Sequence, residues 1–131
     1  MALNFADLDL GLLNTSFELA IIGFFVEIFI KFSFSLSNSF NFCCHFNQQV
    51  IIPKNVTHLK FGFYFNQQII IPQNVTHLTL SSKFNQPIII PENVIHLTFG
   101  DYFNQQVTIP ENVTHLTFGI WFNQQITIHK T

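Results

Sequence analysis

The sequence predicts a mostly-β solenoid of short coils, and three observations carry that prediction. The triplet Phe-Asn-Gln begins at Phe46, Phe65, Phe84, Phe103 and Phe122, a constant step of nineteen residues. Between these starts the text nearly copies itself: Asn-Val-Thr-His-Leu begins at Asn55, Asn74 and Asn112, and Ile95 replaces Thr in the copy at Asn93. A fixed period with matching residues in matching slots marks units that bury their apolar faces on one another. Finally, every full repeat carries a proline (Pro53, Pro72, Pro91 or Pro110), and no stretch between prolines is long enough for a helix of ordinary length.

Within a repeat, alternation sets the local structure. Val75, Leu78 and Leu80 are apolar, and His77 and Thr79 fall on the face opposite Leu78 and Leu80, as in a half-buried strand. A second run, Ile88-Ile89-Ile90, is closed by Pro91, and proline ends a strand because it removes a ladder donor. Two short extended segments per coil and little or no helix are expected. Stacking puts equivalent residues about 4.8 Å apart. The inner columns are then Val56, Val75, Val94 and Val113; Leu59, Leu78, Leu97 and Leu116; Phe61, Leu80, Phe99 and Phe118; the Phe-Asn-Gln phenylalanines; and Ile52, Ile71, Ile90, Ile109 and Ile128. The Asn columns that start at Asn47 and Asn55 are expected at corners, bonded to backbone groups.

The chain divides at residue 38. Residues 1–38 form an apolar N-terminal segment, and residues 39–131 hold an eroded leading strand, four full repeats and a truncated fifth. The leading strand is Ser39-Phe40-Asn41-Phe42, with Phe40 under Leu59 and Phe42 under Phe61. The run from Leu19 to Ile30 is strongly apolar but is interrupted by Glu27. A membrane span needs about 20 mostly apolar residues, and a central Glu is penalised. Asp7 and Asp9, with no early Lys or Arg, argue against a signal peptide. The expected role is a helical cap on the first coil, because terminal repeats need caps; a membrane anchor over residues 17–34 is the alternative.

Phe84-Asn85-Gln86-Pro87-Ile88, followed by Pro91-Glu92-Asn93-Val94-Ile95-His96-Leu97-Thr98-Phe99-Gly100, resembles the FNIP repeat, a short relative of the leucine-rich repeat. The resemblance covers residues 46–131. The motif proline is present at Pro87, and Gln49, Gln68, Gln106 and Gln125 stand in its place elsewhere. The resemblance implies a leucine-rich-repeat-like solenoid that acts as an interaction module without a catalytic site. Some members carry an F-box ahead of the repeats and resemble substrate receptors of ubiquitin ligases. Residues 1–35 do not align to an F-box, so a degenerate receptor subunit is a lesser alternative.

Function is therefore expected on the outward strand face, at His58, Lys60, His77, Thr79, His96, Thr98, His115 and Thr117, where an unidentified protein partner would bind. The histidines form one column. Zinc takes three or four convergent ligands, and a straight column with no carboxylate column beside it offers none, so no metal or other cofactor is expected. Cys43 and Cys44 are adjacent, which strains a mutual disulfide; free thiols fit a reducing, cytoplasmic location, with membrane association the alternative. Cys43-Cys44-His45 lacks Cys-x-x-Cys spacing, and Cys43 is the counterpart of Gly62. No Ser-His-Asp order, phosphate-cradling Gly loop or paired carboxylates are found, so no enzyme is expected. The net charge is −2 and there is no basic block, which removes the electrostatic footprint of a nucleic-acid binder. The sequence stops in mid-repeat with His129 at the proline position, so self-association through an open C-terminal end is expected.

Overall fold

The computed structural model describes residues 38–130. The expected helical cap, and the alternatives of a membrane anchor or an F-box, fall on residues outside that range.

Each coil has three corners, and the sequence fixes each of them. The first is a β-turn opened by the proline. The N–H groups of Val56, Val75, Val94 and Val113 donate to the carbonyls of Pro53, Pro72, Pro91 and Pro110 at 3.1–3.3 Å. The second is a β-turn closed by the motif phenylalanine, with the N–H of Phe65 donating to Gly62, Phe84 to Ser81 and Phe103 to Gly100. The third is a bend at the Asn-Gln pair, seen at Gln48, Gln67, Gln86, Gln105 and Gln124. A turn every few residues leaves no room for a helix, and among the described residues there is none.

The chain between the first two corners is extended. It forms β1 (Ser39–Asn41), β2 (His58–Lys60), β3 (His77–Thr79), β4 (His96–Thr98) and, after the intervening β5 (Val107–Pro110), β6 (His115–Thr117). These five strands make one parallel sheet in the order β1-β2-β3-β4-β6. The register follows the repeat: Leu59 pairs with Leu78, Leu78 with Leu97, and Leu97 with Leu116. Ser39 pairs with His58, so the eroded leading strand is a true strand. The expectation is two short extended segments per coil; among the described residues the second pairs into a ladder only where β5 meets β7 (Ile126–His129).

Equivalent rings show how the coils are spaced. Successive histidine rings on the strand face stand 4.1, 4.4 and 4.1 Å apart. Phe42 to Phe61 is 5.0 Å, and Phe99 to Phe118 is 4.9 Å. The motif phenylalanines are 6.0–6.3 Å apart. The coils therefore close together at the strand face and fan apart toward the motif phenylalanines.

The core lies inside the coils, in the predicted columns. Val56, Val75 and Val94 are fully buried, as are Leu97 and the rings of Phe65, Phe84 and Phe103. The last coil is the exception. Leu116 is 37% and Ile128 57% exposed, whereas Leu97 is 0% and Ile109 3% exposed. No described coil lies beyond them to cover these faces.

The corners are stitched along the solenoid by the asparagines. The N–H of Asn66 donates to Asn47 Oδ1, and the same bond recurs from Asn85 to Asn66, Asn104 to Asn85 and Asn123 to Asn104, at 2.8–3.1 Å. Gln67, Gln86, Gln105 and Gln124 donate their side-chain amides to the same oxygens. At the proline corner the Asn74, Asn93 and Asn112 amides donate to the carbonyls of Lys54, Gln73 and Glu92. Both columns thus satisfy corner backbone groups that the turns leave open.

Candidate functional site

The strand face is built by alternation. Leu59, Leu78 and Leu97 point inward, so the residues on either side of each point outward. All eight sequence-predicted residues lie on this one face. His58, Lys60, His115 and Thr117 are exposed, and His77, Thr79, His96 and Thr98 are half-buried. The histidine rings stack within 10–12° of parallel.

A second layer of residues orients the rings. Thr57, Thr76 and Thr114 each precede a histidine, and each places its hydroxyl 2.9 Å from that ring's Nδ1. A hydroxyl has one proton to give. These three donate theirs to the coil before, to the carbonyls of Asn38 at 3.1 Å, Thr57 at 3.1 Å and Ile95 at 3.5 Å. Where a hydroxyl gives its proton to that carbonyl, it accepts from the ring, and in that arrangement the imidazole proton sits on Nδ1 and the lone pair on Nε2. His96 follows Ile95, so no hydroxyl fixes it.

Stacking also affects charge. Burial, and after it the neighbouring imidazoles of His58, His96 and His115, hold His77 below the ordinary histidine value of 6.5. Among the outward side chains of this face the fixed cation is Lys60.

Chemistry elsewhere is sparse. Among the described residues, no three His, Cys, Asp or Glu side chains are placed to share a metal ion. Cys43 and Cys44 are unpaired thiols, with Cys44 Sγ 3.0 Å from His45 Nδ1. At the far corner, Glu92 Oε1 lies 3.2 Å from His129 Nδ1, at the rim of a hollow of ≈ 290 Å³ that Ile88, Ile90, Val107 and Thr108 also line. Among the described residues, no helix is long and apolar enough to cross a membrane.

One surface escaped the sequence reading. His45, Tyr64, Lys83, Tyr102 and Trp121 share a slot at the turn that follows the strand. Tyr64 stacks on His45 at 5.5 Å, and the Lys83 ammonium sits 3.8 Å from the centre of the Tyr102 ring. Tyr64, Tyr102 and Trp121 remain 45–60% exposed. The nineteen-residue register that aligns the core would have aligned this ladder too, had it been applied to turn positions as well as strand positions.

Comparison with curated proteins finds no match, and comparison with solved structures finds none. The FNIP Repeat family matches residues 46–83 and 84–109, which hold His58, His77 and His96 of the stacked column, Asn47, Asn66, Asn85 and Asn104 of the ladder, and the buried Phe65, Phe84 and Phe103. With the motif, the register and the solenoid in agreement, this chain is an FNIP repeat-containing protein.

Proposed function

We propose that this chain is a non-enzymatic protein-interaction module that binds its partner on the concave strand face bearing His58, Lys60, His77, Thr79, His96, Thr98, His115 and Thr117. One observation carries the reading: a five-stranded parallel sheet holds these side chains in register, and the core uses none of them. Rigid strands position side chains more accurately than loops do. The reading carries with it an intracellular, cytoplasmic location, supported by the two unpaired thiols.

The test is partner capture with a face-blocked variant. Thr98→Trp fills the middle of the face without touching the core, and Ile70→Thr alters an exposed position in the second extended run. The reading expects capture to fail with Thr98→Trp and to persist with Ile70→Thr. Capture that survives Thr98→Trp sinks it.

A further inference from the structure

The strand face carries a specific chemistry for its partner, an inference that rests on the reading above. Its outward positions are Ser39 and Asn41 on β1, His58 and Lys60 on β2, His77 and Thr79 on β3, His96 and Thr98 on β4, and His115 and Thr117 on β6. Every group there that can hold charge is a cation or becomes one on protonation. The carboxylates of the described residues lie at the corners. Asp101 accepts from the Ser82 hydroxyl at the turn, Glu92 meets His129, and Glu111 lies on the same corner column as Glu92.

The threonine hydroxyls hold Nδ1 of His58, His77 and His115, which leaves Nε2, across the ring, to meet a ligand. Two adjacent imidazolium rings 4.1 Å apart repel, but one carboxylate seated between their Nε2–H groups accepts from both and offsets the repulsion. The column divides naturally into the 4.1 Å pairs His58–His77 and His96–His115, with the wider 4.4 Å gap between them. The midpoints of the two pairs are about 8.5 Å apart, within an ångström of the rise of about 9.3 Å over which a polyproline II helix returns a side chain to the same face every third residue.

We propose that the strand face binds an acidic, extended peptide segment of the polyproline II type, with carboxylates three residues apart, one between His58 and His77 and the next between His96 and His115, and that protons are taken up on binding. The complex holds more protons than its free parts, so affinity rises as pH falls from 7.5 toward 6. Lys60 adds a fixed attraction at the N-terminal end of the face.

The full chain is titrated with an acetylated (Glu-Pro-Pro)3 amide at pH 7.5 and pH 6.0 at constant ionic strength, by calorimetry in two buffers of different ionisation enthalpy. Binding at least about fivefold tighter at pH 6.0, with one to two protons taken up, is expected. A His77→Gln, His96→Gln double variant loses the pH dependence, and Ile70→Thr keeps it. Equal affinity at the two pH values, equal binding of the peptide with Gln for Glu, or tighter binding of a single-stranded oligonucleotide overturns the proposal. A chain that ignores the peptide but still loses partner capture with Thr98→Trp overturns the acidic chemistry alone. Capture that is indifferent to Thr98→Trp removes the face itself.

Discussion

Leu97 and Leu116 hold the same slot in successive coils, yet one is fully buried and the other is 37% exposed. Residue type and slot were legible in the sequence; burial depends on whether a coil lies on each side. Leu97→Ala should cost about 2–5 kcal/mol, and Leu116→Ala clearly less, which urea unfolding of the two variants will show. The outward histidines were equally legible, because alternation around Leu59, Leu78 and Leu97 leaves them no other direction. Their tautomer was not legible. It depends on the Thr57, Thr76 and Thr114 hydroxyls reaching a carbonyl of the preceding coil, a contact across nineteen residues. The depressed basicity of His77 gives a signed prediction. Below 6.5 the unfolded chain binds the proton that folded His77 resists, so its contribution to stability is full above 6.5 and declines as pH falls through that value. The melting temperature should be lower at pH 5.5 than at pH 7.5, and His77→Gln should flatten that difference. A wild-type melting temperature that does not change with pH would contradict it.

The turns are where single elements impose their demands. Gly62, Gly100 and Gly119 share a slot with Cys43 and Ser81, and a Cβ added at Gly100 would overlap the Ser81 carbonyl of the coil before. The constraint is close approach, since no glycine has positive φ among the described residues. Ser81 occupies the slot by turning its hydroxyl to the Phe65 carbonyl, where it is buried. Gly100→Ala should therefore destabilise by about 1–3 kcal/mol, as overpacking does, and thermal unfolding against wild type will measure it. Sequence reasoning placed the prolines correctly as the ends of extended runs. It did not foresee that each opens a turn whose carbonyl receives the N–H of the valine three residues on. The second extended run was legible as extended, because Ile88, Ile89 and Ile90 are β-branched. Whether it pairs was not, and among the described residues only β5 and β7 do; nor was the distance between coils.

That distance belongs to the whole molecule. Histidine rings at 4.1–4.4 Å and motif phenylalanines at 6.0–6.3 Å describe a stack that is tighter on one side than on the other. The strand face is on the tight, concave side, which brings equivalent side chains close enough for one ligand group to touch two of them. Stability in such a stack is approximately a sum of coil terms and nearest-neighbour interfaces. The period of nineteen made this architecture legible; the curvature, a difference in spacing between the two sides of the stack, was not.

The asparagine bonds and the strand register both join a residue to its counterpart nineteen positions away and to nothing further along the stack. A genetic exchange that removes or duplicates one unit therefore leaves the asparagine ladder and the strand register with partners they already recognise. Excising residues 84–102 would set Phe103 on Phe65, the Asn104 N–H on Asn66 Oδ1, Leu116 on Leu78, and Gly119 over Ser81 where Gly100 now sits. The shortened chain should fold to the same β-sheet signature by circular dichroism and melt cooperatively at a somewhat lower temperature; loss of that signature would contradict the expectation. Chain length in this architecture is thus open to change by whole units, and unequal crossing-over can alter the reach of the strand face without changing its register.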